Sequence, residues 1–132
     1  MSDTMKVQPF GILLQWILTE LEENDSIFDI HRSLFYTPQA DAPHTATMFG
    51  DHLATPIGPA AGPHTQLSQN IIASWLSGGR FIELKTVQIM DELDIPRPCI
   101  DMEDEGYNVE WSQELKLDES AREYIHAWVL IH

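Results

Sequence analysis

The stretch "LATPIGPAAGPHTQLSQNIIASWLSGGRFIELKTV", Leu53 to Val87, constrains the fold more than any other part of the chain. "TPIGPAAG" reads as a buried strand and its exit turn. Thr65 is a candidate N-cap, and after it Leu67, Ile71, Ile72, Trp75 and Leu76 fall on one helical face. Gly78-Gly79 supplies the left-handed residue that ends helices. "RFIELKTVQ" then alternates as a strand does. The order is strand, helix, strand, and the helix is long enough for a parallel, right-handed crossover.

Upstream, "PFGILLQWILTELEEN" carries Phe10, Leu13, Leu14, Ile17, Leu18 and Leu21 at helical spacing, with a stop at Asn24. "SIFDIHRSLFYTP" has mixed periodicity and suits a short helix or loop. "QADAPH" is a linker. "TATMFGDHLATPIG" reads as a small hairpin with Gly50-Asp51 near its turn. Downstream, the prolines and Gly106 of "DELDIPRPCIDMEDEGYNVEW" argue for a long acidic loop. "DESAREYIHAWVLIH" reads as a helix, with Asp118 as N-cap and a stripe of Ala121, Tyr124, Ile125 and Trp128. The division expected is an N-terminal helical extension over 1–43 and a β/α segment over 44–132.

The chain has 132 residues and a net charge of −14. No basic stripe exists to neutralise phosphates, which argues against nucleic acid. The same charge argues against an anionic membrane surface, and no window approaches the length of a membrane span. One cysteine, Cys99, excludes an internal disulfide and a cysteine-rich zinc site. A cytoplasmic protein is expected.

Ligands of β/α folds gather at the C-terminal ends of strands. The first such end is Pro59 to Gly62, where nothing ionises and small side chains let a flat ligand reach backbone amides. A tight turn without a ligand explains the same residues. The second end is Glu83 to Thr86. Alternation puts Phe81, Glu83 and Lys85 on one face, with Ile82 and Leu84 facing the helices. An inward Glu and Lys two apart need partners, so they form either a structural ion pair or a cation aimed at an electron-rich ligand. The six histidines show no metal-binding spacing, and His64 stands out only because it follows "PAAGP". No P-loop, dinucleotide fingerprint, nucleophile elbow or triad is present. Catalytic residues and metal ligands are therefore not assigned.

"LATPIGPAAG", a helix, then "GGRFIELKTV" resembles the first two β/α units of the dihydroorotate and dihydropyrimidine dehydrogenase barrels, which are FMN-binding (β/α)8 enzymes. With "ATPIGPAAGPHTQLSQNI" and "PCIDMEDEGYNVEWS", most of the chain is similar to the N-terminus of subunits described as selenate reductases, a glutamate-synthase-like oxidoreductase family. The resemblance implies an α/β fold: two β/α units of a TIM-type barrel, preceded by a helix and a hairpin that would plug the barrel bottom. It implies FMN as cofactor, with Ala60, Ala61 and Gly62 packing on the flavin ring. Lys85 would lie at the flavin N1 and O2 edge, with Thr86 in the same contact, and Asn108 would face the substrate. The activity implied is hydride transfer to or from a small heterocycle.

Such barrels need about 250 residues. Strands three to eight, the phosphate-holding loops, the general acid, and the iron–sulfur and NAD(P)H modules would lie elsewhere. The chain is thus expected to be a fragment or subunit that pairs with the rest of its barrel or with another copy of itself, because two parallel strands leave faces and edges open. The competing expectation is a non-catalytic acidic α/β module that works by protein association.

Overall fold

The computed structural model describes residues 5–39, 42–87, 89, 100–101, 107–108 and 114–132. The N-terminal helix forms as its spacing predicts, as α1 (Phe10–Asn24). It ends where Asp25 turns left-handed (φ 51°) and returns its N–H to Glu20 O. Leu13 and Ile17 face inward, but Leu14 and Leu18 of the expected stripe are 38% and 56% exposed.

The next segment, expected as a short helix or loop, opens with a miniature hairpin and closes with a short 3₁₀ helix. β1 (Ser26–Ile27) pairs antiparallel with β2 (Ile30–His31). Phe28 and Asp29 both take positive φ at its tip, as the tightest hairpin turns require. Glu20 holds it from α1, accepting from the Asp29 N–H at 3.1 Å and the Ser26 hydroxyl at 3.4 Å. A 3₁₀ turn, Arg32–Leu34, follows. The second hairpin forms as expected, between β3 (Ala46–Met48) and β4 (Asp51–Leu53). Its left-handed pair is Phe49-Gly50, one residue earlier than the sequence suggests.

The expected parallel strands are extended segments without a regular ladder. They run in the same direction, joined by Arg80 N–H to Ile57 O at 2.9 Å and Glu83 N–H to Pro59 O at 3.4 Å. Gly58 permits that approach. A Cβ there would lie 2.1 Å from Phe81 O, inside any real contact distance. Part of the small-residue run is therefore small for another backbone, not for a ligand.

Between these segments lies α2 (Ser68–Leu76), preceded by a 3₁₀ turn, His64–Gln66. Leu67, not Thr65, occupies the N-cap position, so the capping expectation fails. Leu67, Ile71, Ile72 and Leu76 are buried as expected, while Trp75 is 39% exposed. Gly78, at φ 105°, ends the helix. Among the described residues of the expected acidic loop, β5 (Ile100–Asp101) pairs antiparallel with β6 (Tyr107–Asn108). Cys99 and the acidic run Glu103 to Glu105 lie outside the described residues.

The last helix is α3 (Leu117–Ile131). Asp118 sits in its first turn rather than at the N-cap, which is Lys116; the Lys116 N–H is met by Glu119 Oε2 at 3.0 Å. The expected stripe is also rotated. Ser120, Glu123 and Ala127 are buried, whereas Ile125 and Trp128 are 59% and 65% exposed. Small Ser120 and Ala127 let α3 approach α2 closely, which the bulkier stripe would not.

Ile17, Ile71, Ile72, Leu76 and Ala127 form one buried cluster, so α1, α2 and α3 share a core. Ile82 packs on its edge from the second extended segment. The architecture is a partial α/β barrel, with no closed barrel among the described residues.

Candidate functional site

The turn after the first extended segment is closed from within. Thr65 Oγ1 accepts the Gly62 N–H at 2.9 Å, and its hydroxyl lies 2.8 Å from Gly62 O. Thr65 thus braces the turn instead of capping α2. Behind it stands Gln66, fully buried. Its Nε2 donates to Glu83 O at 2.9 Å and its Oε1 accepts the Tyr124 hydroxyl at 3.2 Å. One amide therefore ties the turn, the second segment and α3 together. A buried amide costs little only when both ends are satisfied, and here both are. Burial pushes the Tyr124 phenol above its ordinary range.

The second segment brings two charged side chains to this turn. Glu83 Oε2 accepts the Ala61 N–H at 2.8 Å, and Lys85 Nζ donates to Ala61 O at 3.4 Å. The alternation that put both on one face is therefore seen. The expected inward burial is not: Glu83 is exposed and Lys85 half-buried. The expectation of free amides is corrected too, since the Ala61 and Gly62 N–H groups both have internal acceptors.

Of the expected cofactor residues, Ala61, Gly62 and Lys85 come together at one end of the parallel segments. Ala60 and Thr86 flank them and are exposed. Asn108 is placed by its backbone in β6 only; its side chain lies outside the described residues. His64 is exposed in the 3₁₀ turn, with its carbonyl accepting from Asn70 Nδ2 at 2.6 Å. Among the described residues, no three His, Cys, Asp or Glu side chains cluster as metal ligands.

Two features here were not legible in the sequence. One is Gln66, a single polar residue with no pattern around it. The other is the joint between α2 and α3. Glu123 Oε2 accepts both the Ser68 N–H and the Ser68 hydroxyl, each at 2.7 Å, with both side chains buried. Leu67 has no side-chain acceptor to offer, and a carboxylate from α3 takes the first N–H of α2 instead. The only sequence signal is that Glu123 shares a face with small Ser120 and Ala127.

An apolar cavity of about 360 Å³ opens between α2, α3 and the second segment, lined in part by Trp75, Phe81, Leu84, Trp128 and Ile131. Among the described residues, no helix is long and apolar enough to cross a membrane.

Two extended segments running in parallel, a crossover helix between them and a small-residue turn at their far end define a piece of a TIM-type barrel. The chain belongs to the family described as "Oxidoreductase YgfK, N-terminal TIM-barrel domain", whose model matches residues 28–132. Two relatives, each named "Putative oxidoreductase YgfK", come from Escherichia coli strain K12 and Escherichia coli O157:H7. Each is 53% identical over 132 residues, covering all of this chain and 13% of the relative. The chain thus spans about one eighth of the length of these curated relatives. No solved structure matches it.

Proposed function

We propose that this chain forms one wall of an FMN site in an oxidoreductase that moves hydride between flavin and a small heterocycle. The observation that carries this is the meeting of Lys85 Nζ with Ala61 O, at 3.4 Å, on an uncharged turn at the end of the parallel segments. The residues suit a flat, electron-rich ring. Nothing from Pro56 to Gly62 ionises, and the space where Gly62 lacks a Cβ is open to 3.7 Å. Ala60, Ala61 and Gly62 offer backbone to a ring face, and Thr86 flanks them. Lys85 supplies positive charge that favours an anionic reduced ring. The flavin, when bound, supplies hydride acceptance and donation. Asn108 is assigned to the substrate side by family resemblance.

The wall needs a partner, and the remainder of the barrel is the one we assign. Leu84 and Trp128, 57% and 65% exposed, border the apolar cavity and offer apolar surface to such a partner. Relatives about eight times as long as this chain have room for iron–sulfur and NAD(P)H modules. A cytoplasmic setting fits this chemistry. The same exposed apolar residues favour a second reading, an acidic module that associates with another protein or with its own copy.

The test is a titration of the purified chain with FMN, followed by flavin fluorescence, with the solution mass measured alongside. Binding that weakens at least about tenfold in Lys85→Ala, the scale of one lost charged contact, supports the flavin wall. No binding by a chain that forms a stable dimer supports the association module instead.

A further inference from the structure

Ala61 is held at both of its polar ends by one face of the second segment: Glu83 takes its N–H and Lys85 approaches its carbonyl. Resting on the flavin reading above, we infer that Glu83 is a placeholder for the flavin. Its carboxylate occupies the Ala61 N–H until an electron-rich ring edge takes over that donor, and it swings away on binding.

The two amides of the turn differ in a way that singles out Ala61. The Gly62 N–H is bonded to Thr65 three residues on, inside the turn itself, and its release would open the turn. The Ala61 N–H is bonded to a side chain from another segment, one exposed to solvent. Moving that side chain uncovers no core and exchanges one charge-assisted bond for hydration. The segment does not depend on it. The Glu83 N–H goes to Pro59 O at 3.4 Å and the Glu83 carbonyl accepts from Gln66 at 2.9 Å. The backbone therefore stays in place when the carboxylate leaves.

Charge points the same way. A carboxylate on the donor that faces a reduced, anionic ring would repel it, while Lys85 on the neighbouring position attracts it. Glu83 in place rejects ligands that bring no acceptor of their own, because they leave either the carboxylate displaced without exchange or the amide unanswered. Glu83 thus sets selectivity through competition, and it touches the ligand only by yielding to it.

The experiment compares FMN affinity and Ala61 amide exchange in the purified chain and in its Glu83→Ala, Glu83→Gln and Lys85→Ala variants. Without ligand, Glu83→Ala should lose protection at Ala61, and FMN should restore it. Affinity should rise about three- to tenfold in Glu83→Ala, the net worth of one ordinary competing hydrogen bond at a solvent-exposed position, and less in Glu83→Gln, which keeps a neutral acceptor. If FMN binds and Lys85→Ala abolishes it, while Glu83→Ala leaves affinity unchanged or lowers it, the flavin wall stands and the placeholder role falls. If neither the parent chain nor Glu83→Ala binds FMN, both fall together. Equal unfolding midpoints in the variants exclude a folding defect.

Discussion

Replacing Glu123 with alanine should unfasten α2 from α3. In the native chain one carboxylate oxygen accepts two bonds from Ser68, both at 2.7 Å and both away from water. Alanine leaves the Ser68 N–H buried without an acceptor, while the hydroxyl can turn to the Glu123 carbonyl oxygen, 3.0 Å away. The unanswered N–H costs about 2 kcal/mol and the hydroxyl, which exchanges a charged acceptor for a neutral one, about 1 kcal/mol, so the loss is about 3 kcal/mol. Removing an N-cap alone costs about 1 kcal/mol, so the excess measures the burial of this joint. For a chain of this size, 3 kcal/mol lowers the melting temperature by roughly 10 °C. Glu123→Gln keeps an acceptor oxygen and should lose about 1 kcal/mol, and so should Ser68→Ala, which removes one donor. Because the two residues share their bonds, the double variant Ser68→Ala/Glu123→Ala should be milder than the sum of the singles by about 1 kcal/mol. The assay is urea unfolding followed by tryptophan fluorescence and circular dichroism. A Glu123→Ala variant within 1 kcal/mol of the parent, or strictly additive singles, would refute the cross-helix cap.

Gly58→Ala should force the two parallel segments apart, since its Cβ would lie 2.1 Å from Phe81 O; a loss of about 2 kcal/mol or more in the same unfolding assay is expected, whereas Gly62→Ala, with open space, should be mild. Tyr124→Phe should remove the hydroxyl that meets Gln66 and should flatten the alkaline side of the stability profile. The sign follows from burial, which raises the folded phenol above its ordinary value of 10.0. The unfolded chain therefore gives up this proton first, so stability falls as pH rises from about 10 through the raised folded value. Urea midpoints measured between pH 9 and 11 should fall more steeply for the parent than for Tyr124→Phe.

Local pattern carried the elements that local physics decides. The apolar spacing of α1 and α2 is a helical signal because only a 3.6-residue repeat puts those side chains on one face. Gly78 ends α2 because a left-handed residue without a Cβ costs nothing there. The β3–β4 hairpin follows from strand residues around a Gly-containing turn. Alternation also put Glu83 and Lys85 on one face, and both reach Ala61.

What local pattern misjudged is which face meets what. α3 has two plausible stripes, and the sequence favours the larger side chains of Ala121, Tyr124, Ile125 and Trp128. The fold buries Ser120, Glu123 and Ala127 instead, because the first turn of α2 lacks a cap and needs an acceptor at close range. Thr65 has the chemistry of an N-cap, yet it turns back to close the loop on Gly62. Gln66 carries no periodic signal, because its value lies in joining its own turn to two elements that are 17 and 58 residues away in sequence.

The sequence alone therefore determined the helices, the hairpin, the parallel crossover and the small, uncharged turn, since each depends on residues a few positions apart. The tertiary structure alone decided that Gly58 serves a neighbouring backbone, that Glu123 caps a helix 55 residues away, and that the Ala61 amide already has an acceptor. Each of these rests on a group whose partner is distant in sequence. Hydrogen bonds and close contacts are specified by position in space, and residue order encodes that position only after the chain has folded.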